Sequence, residues 1–155
     1  MFRKMRTIGV PLSKEETIKI FEKQKHGALA VNGDNGYPYG VPISFVYSND
    51  RIIFHCSITG HKLDSIRKDP KVSFCVIDQD NILPEEFNTL YRSAIAFGKA
   101  RVIENGQEKR EALREIVKKY SPDFMKSGEK YIDVEWDNVA AIIIEIEHMT
   151  GKAGD

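Results

Sequence analysis

The sequence predicts a mainly β protein, an antiparallel β-barrel with peripheral helices, built as one domain over residues 1–155. Three observations predict it. Segments rich in Val, Ile, Phe and Tyr alternate in character over residues 71–77, 92–103 and 139–147, the period of a strand with two unlike faces. The strands mostly follow one another through short polar turns, so consecutive strands pair antiparallel rather than by helical crossovers. The whole chain holds about six strands and two substantial helices, and a sheet of that size hides its edges best by closing on itself.

Taken in order, Ser13-Lys14-Glu15-Glu16 matches a capping box, a hydroxyl followed three positions on by a glutamate. A helix therefore follows to about Lys25, with Ile18 and Phe21 toward the core, and Gly27 ends it. Residues 27–32 (GALAVN) form a short strand, and Gly33-Asp34-Asn35-Gly36 is a turn by composition. Residues 37–47 return as a strand interrupted by Pro38 and Pro42. Proline cannot donate to a ladder, so the two mark an edge, a bulge or a ligand-facing gap. Asn49-Asp50 turns the chain into a third strand, Arg51–Ser57.

A polar elbow, Ser57-Ile58-Thr59-Gly60-His61-Lys62, then leads into a short helix that Pro70 stops, with Leu63 and Ile66 inward. Residues 71–77 place Val72, Phe74 and Val76 on one face; residues 78–90 read as a polar loop around Pro84. The strand over residues 92–103 has a small even face (Ala94, Ala96, Gly98, Ala100), open to close packing by a neighbouring sheet or a flat ring, with Ile95 and Phe97 opposite. The clearest helix spans residues 107–120, where Leu113, Ile116, Val117 and Tyr120 recur at helical spacing. Residues 121–128 are irregular, residues 139–147 form the last strand, and residues 148–155 are a polar tail containing Thr150-Gly151-Lys152.

Composition narrows the function. Hydrophobic residues make up 41% and charged residues 30%, as in ordinary globular domains. Lys+Arg and Asp+Glu both total 23, a balance that points away from a dedicated nucleic-acid binder. No apolar run is long enough to span a bilayer, so no membrane partner is expected, and the basic start lacks the apolar core of a signal peptide. Cys56 and Cys75 have no metal or redox spacing and sit in apolar strand patterns, which suggests small buried thiols in a reducing compartment and a cytoplasmic address. The histidines and acids show no ligand spacing, so no metal is expected. Walker-type loops, G-x-G-x-x-G, H-E-x-x-H and G-x-S-x-G are all absent.

The elbow is the stretch that asks for a special reading. Backbone N–H groups at a helix start carry partial positive charge, Lys62 adds a full one, and Gly60 lets a ligand approach the main chain, so the corner suits an anion and phosphate above all. The plainer reading is an N-cap in which Ser57 or Thr59 caps the helix and Lys62 is solvated. His55 reads as a core or rim histidine, and Tyr37, Tyr39 and Tyr91 as strand aromatics. The prolines beside the elbow free backbone groups that need partners, and the edge of a planar heterocycle would supply them.

Gly27-Ala28-Leu29-Ala30, Gly36-Tyr37-Pro38-Tyr39, Val41-Pro42, Phe54-His55, Gly60-His61-Lys62, Pro70, Tyr91, Ser93 and Gly98, with Thr150-Gly151-Lys152 at the end, stand in a distinctive order. In that order the chain resembles the pyridoxamine 5′-phosphate oxidase-like split-barrel flavoproteins, and most of all their nitroimidazole-resistance (Nim-type) branch. The resemblance implies an FMN-binding antiparallel split barrel, working as a homodimer with the cofactor at the subunit interface. It implies that His61 and Lys62 hold the FMN phosphate with Ser57, Thr59 and Gly60 nearby. Pro42, Ile43, Ser44 and Phe45 would line the isoalloxazine edge through their backbone. Tyr91 and Ser93 would approach the flavin or phosphate, Lys152 would come from the partner subunit, and His55 would stand on the substrate side as the candidate catalytic residue.

The implied activity is an FMN-dependent oxidoreductase acting on a small-molecule substrate of nitroaromatic or quinone type. The alternative is a flavin- or haem-binding protein without turnover on the same barrel, and deazaflavin or FAD could replace FMN. A non-flavin anion-binding dimer is the third reading. His61 stands where the pyridoxamine-phosphate oxidases usually have arginine, and their arginine-rich C-terminal segment has no counterpart here, so vitamin B6 oxidation is not implied.

Overall fold

A computed structural model describes residues 1–6 and 9–154; Thr7, Ile8 and Asp155, which fall in the basic start and the polar tail, lie outside the described residues. Among the described residues eight strands and four α-helices follow in the order β1 (Val10–Pro11), α1 (Lys14–Lys23), β2 (His26–Asn32), β3 (Pro38–Ser44), β4 (Val46–Ser48), β5 (Arg51–Ser57), α2 (His61–Lys68), β6 (Lys71–Leu83), β7 (Asn88–Ile103), α3 (Gly106–Tyr120), α4 (Met125–Glu135) and β8 (Val139–Ala153). The capping box forms as its residues require: Ser13 Oγ accepts from the Glu16 N–H at 3.1 Å and Glu16 accepts from the Ser13 N–H at 2.9 Å.

All strand pairs are antiparallel, in the order β3-β2-β6-β7-β8-β5-β4, with β1 beside the far end of β8. The barrel is not closed. β3 and β4 are the two ends of the hydrogen-bonded path, and only the covalent chain through Phe45 joins them. The single strand expected over residues 37–47, interrupted at Pro38 and Pro42, is thus two strands around a corner at Phe45. β4 reaches only Arg51, Ile52 and Ile53 of β5, so the distal half of β5, Phe54–Ser57, has no strand on that side. Pro38 and Pro42 lie on β3, an end strand, where a missing N–H costs least.

The barrel interior is one apolar cluster to which α1 gives Ile20 and Phe21, α2 gives Leu63 and Ile66, the β3–β4 corner gives Phe45, and the strands give Phe54, Phe74 and their neighbours. Each of those phenylalanines is fully buried, and each such side chain contributes about 1.5–3 kcal/mol. The small even face of β7 belongs to this interior: Ala94, Ala96 and Ala100 pack in the core, so no flat ring lies against them. At Gly98 a bulge shifts the register to β8, and a Cβ there would fall on the Glu145 carbonyl. The odd face, with Ile95 and Phe97, is the exposed one.

A second cluster lies outside the barrel, where α3 and α4 cover β4, β5 and β8 through Ala112, Leu113, Ile132, Ile53 and Ile143. Helix α4 was not expected, because Lys126-Ser127-Gly128 is polar and interrupted. It is made by tertiary contacts: Arg110 and Arg114 both pair with Glu129, Gly128 packs on Val117, and buried Lys109 donates to the Glu104 and Trp136 carbonyls. Two further segments read as loop or tail are strand. β6 and β7 run on as a hairpin arm to a short turn at Pro84–Glu86, and β8 continues to Ala153. Both carry polar residues because their faces are solvated, and backbone pairing rather than apolar alternation defines them.

Candidate functional site

The elbow begins where β5 leaves its partner. Asn49 and Asp50 turn the chain with φ of 50° and 58°, β5 runs beside β8 as far as the Ser57–Val139 pair, and the chain then bends toward the barrel mouth. Gly60 is the N-cap of α2 at φ 137° and ψ 166°, a backbone conformation closed to side chains, although a Cβ there would meet nothing within 4 Å. No side chain caps the helix, so the expected alternative of Ser57 or Thr59 as N-cap does not hold. The first-turn N–H groups therefore keep their donors for something outside the chain. Around them the Ser57 and Thr59 residues are exposed and Lys62 is half-buried; among the described residues none of the three side chains forms a hydrogen bond or ion pair.

His61 behaves differently. Its ring lies on Tyr39 and its Nε2 is 3.6 Å from an Asp34 carboxylate oxygen, so it is attached to the β2–β3 turn. This contact also brings β3 to the elbow. The free edge of β3 and the free edge of Phe54–Ser57 bound the split in the barrel, with α2 starting at its upper end. Pro42 and Ser44 present their side chains outward, whereas Ile43 and Phe45 bury theirs and offer only backbone. At the lower end, Tyr120 Oη donates to the carbonyls of Lys25 and Phe45, and the Lys119 ammonium lies 4.3 Å from the Phe45 ring centroid while donating to the Gln24 carbonyl. Sequence reasoning missed Lys119, whose only signal is a cation beside a core-facing tyrosine.

Tyr91, Ser93 and Lys152 form a separate group. Ser93 pairs with Lys152 across β7 and β8, and the Lys152 ammonium is 5.7 Å from the Tyr91 ring centroid. They stand at the opposite end of the sheet. Tyr39, beneath His61, is in register with Val31 near the Lys71–Lys99 pair, whereas Ser93 pairs with Ile77. Six residues of strand separate those pairs, about 20 Å. Within one protomer Pro42, Ile43, Ser44 and Phe45 and the elbow residues Ser57, Thr59, Gly60, His61 and Lys62 border the split, the His55 side chain turns to the outer side of β5, and Tyr91, Ser93 and Lys152 lie away from the elbow, level by register with Ser44.

His55 projects to the outer side of β5, toward α3 and α4. Its side chain is exposed at the mouth of an apolar pocket of about 120 Å³ lined by Leu113, Ile116, Val117, Tyr131, Ile132, Glu135 and Val139. Enough protein surrounds the imidazole that desolvation lowers its pKa. Burial likewise pushes the Cys56 and Cys75 thiols up; both are free and half-buried rather than buried. A larger depression of about 560 Å³ lies between the N-terminal segment and β8, lined by Met5, Leu12, Thr17 and Met149, and it is remote from the elbow. Among the described residues no His, Cys, Asp and Glu side chains cluster as metal ligands, and no helix is long and apolar enough to cross a membrane.

The profile of the pyridoxamine 5′-phosphate oxidase family matches residues 13–153. The chain belongs to that family. Its fold is the family's split barrel. A candidate 5-nitroimidazole antibiotic resistance protein from Bacteroides thetaiotaomicron superposes with a TM-score of 0.75 at 25% identity, covering 99% of this chain and 90% of that one. An FAD-binding protein from Mesorhizobium loti gives 0.66 at 21% identity over 94% and 98% of the two chains. The FAD and haem binding protein from Mycobacterium smegmatis gives 0.79 at 19% identity over 92% and 72%. No curated protein matches.

Proposed function

We propose that this member of the pyridoxamine 5′-phosphate oxidase family binds FMN at the interface of a homodimer and passes electrons to a small organic acceptor of nitroaromatic or quinone type. The observation that carries the reading is the uncapped start of α2, with unpaired Lys62 beside it, opening on a split bounded by two free strand edges. The residues present fit the group. First-turn N–H groups, Lys62 and the Ser57 and Thr59 hydroxyls suit a phosphate, and the β3 edge from Pro42 to Phe45 suits the rim of a flat heterocycle. FMN, when bound, supplies the electron chemistry; the protein orients it and sets its surroundings. The flavin- and haem-binding relatives support a cofactor in this fold, and the Bacteroides protein supports the nitro class of acceptor.

The dimer rests on the uneven covering of the sheet. Helices α3 and α4 cover the outer face of β4, β5 and β8, while Ile77, Ile95 and Phe97 stay exposed on the outer face of β6 and β7. A two-fold copy would cover that face and carry its own Lys152 toward the split. Two free thiols fit a reducing, cytoplasmic setting.

The test is an absorption spectrum of purified protein before and after adding FMN, followed through gel filtration. Flavin bands that elute with a dimer and weaken in Lys62→Ala support the reading. A protein that stays colourless with excess FMN overturns it.

A further inference from the structure

The far end of the β6–β7 hairpin is an arm with nothing beneath it. β6 leaves β2 after the Cys75–Ala28 pair, and β8 follows β7 only to Arg92–Ala153, with one more bond from the Gly154 N–H to the Tyr91 carbonyl. Beyond that point Asn81–Leu90, Ile82–Thr89 and Leu83–Asn88 pair only with each other, and among the described residues no further strand flanks them. A two-stranded hairpin is marginal in water by itself. This one also carries apolar side chains in the open, Ile82 being 72% exposed and Phe87 98%. Phe87 closes the turn at φ 51° and ψ 36°, a left-handed conformation that glycine or asparagine adopts at less cost. A bulky ring held there, strained and fully solvated, contributes nothing to its own fold.

The charge on the arm is one-sided. Residues 77–91 hold Asp78, Asp80, Glu85 and Glu86 and no lysine or arginine. Asp78 is paired with Lys23, and among the described residues the other three acids form no ion pair. A matching surface lies on α4. Phe124, Tyr131 and Val134, at i, i+7 and i+10, make an exposed apolar stripe along one side of it. Lys126 and Lys130 on the same helix and Lys118 at the end of α3 are exposed and, among the described residues, without ion pairs. The acids Glu129 and Asp133 are taken by Arg110 and Arg114; Asp123 is left unpaired, and the patch is net basic. Within one protomer the two surfaces lie apart. The arm is rooted at Ala153, whereas α4 packs in the cluster with Ala141, and the strand between them runs for about 40 Å.

We infer that the arm of each protomer docks on α4 of a two-fold partner, with Phe87 and Ile82 against the apolar stripe and the free carboxylates among the lysines. Two-fold symmetry makes the contact twice. Tyr91, Ser93 and Lys152 stand at the root of the arm, and α4 covers β5, whose far half borders the split. A docked arm therefore fixes that root beside the partner's split and aligns what one protomer lends to the other's site. That a second copy is present rests on the dimer proposed above; which surfaces meet does not.

The test puts a photo-crosslinker on the arm, as Phe87→p-benzoylphenylalanine in the full chain. Isotopically labelled and unlabelled chains are refolded together, and the crosslinks are mapped by mass spectrometry. Crosslinks that join labelled to unlabelled chains and fall within residues 118–134 are expected. Phe87→Gly, which relaxes the turn and removes the ring, should weaken the dimer about tenfold or more by sedimentation while leaving the chain folded. Glu85→Lys with Glu86→Lys should weaken it about tenfold, and Lys126→Glu with Lys130→Glu in the same chain should restore it. A dimer crosslinked elsewhere, or a charge reversal that is silent or not rescued, overturns the docking alone. A wild-type chain that sediments as a monomer overturns the docking and the dimer together. Uptake of FMN is measured on the same samples. An arm-docked dimer that takes up no FMN keeps the docking and sinks the cofactor, and an FMN-bound dimer crosslinked elsewhere does the reverse.

Discussion

The imidazole of His61 lies on the phenol ring of Tyr39, with centroids 4.2 Å apart and planes 24° from parallel. Its Nε2 faces Asp34 Oδ2 at 3.6 Å. The first residue of α2 is therefore engaged with the β2–β3 turn, and Lys62 is the cation left unpaired at the helix start. The pair anchors the elbow over β3, and under the proposed function the anion contact would fall to Lys62 and the backbone.

This division of labour separates two neighbouring substitutions. Lys62→Ala should weaken FMN binding about ten- to a hundredfold, since a hydrogen bond to a charged group is worth about 1.5–3 kcal/mol. It should leave the melting temperature almost unchanged, because among the described residues Lys62 forms no hydrogen bond or ion pair. His61→Ala should lower the melting temperature through the lost stacking, about 0.5–1.5 kcal/mol, and weaken FMN less than Lys62→Ala does. Fluorescence quenching of FMN and thermal denaturation read both. Equal losses of affinity would mean that His61 leaves Tyr39 to bind the phosphate.

The separation of Lys152 from the elbow within one protomer gives a mixing experiment. Lys62→Ala and Lys152→Ala should each weaken FMN binding in a homodimer. Unfolded together and refolded, the two variants should form mixed dimers in which one of the two sites has both lysines and binds FMN with wild-type affinity. If mixing restores nothing, the two lysines do not share a site across the interface.

Lys119 should make stability rise with alkali. Desolvation lowers its ammonium pKa to about 8 from a model-peptide value of 10.5, so between those pH values the unfolded chain binds more protons than the folded one. The folded state bears the full cost of the charge below pH 8 and is relieved of it as pH climbs to about 10.5. Chemical denaturation at three pH values across that window should show wild-type stability increasing relative to Lys119→Met. Parallel curves would place the ammonium in water.

Asp78 works in the opposite direction. Burial raises its pKa, but hydrogen bonds from Gln24 and Lys23 and the charges of Lys23 and Arg92 outweigh that and hold the carboxyl below its usual 3.8. Its ion pairs tie the end of α1 to the β6–β7 arm, with Lys23 Nζ at 3.0 Å and Arg92 Nε at 3.5 Å. The stabilisation is complete above pH about 4 and is lost as pH falls through the depressed value. Asp78→Asn should lower the melting temperature at pH 7, and the difference from wild type should shrink in acid. A constant difference down to pH 2 would assign the effect to packing.

Much of this was already present in the order of residues. Local chemistry suffices for the capping box at Ser13 and Glu16, the Asn49-Asp50 turn, the inward Leu63 and Ile66, and the face alternation over residues 71–77, because each depends on neighbours within a few positions. Gly60 and Lys62 were legible at the elbow for the same reason. What needed the tertiary structure was everything set by distant contacts. Helix α4 exists because Arg110 and Arg114 pair with Glu129, and the polar ends of β6, β7 and β8 are strands because other backbones lie beside them. The barrel stays open because β4 ends after three residues, and His55 faces a pocket whose walls come from helices more than fifty positions away in the chain. Sequence determines which side chains and turns are available at short range; only the packing of remote elements decides which edges remain unpaired and which walls meet around a cavity.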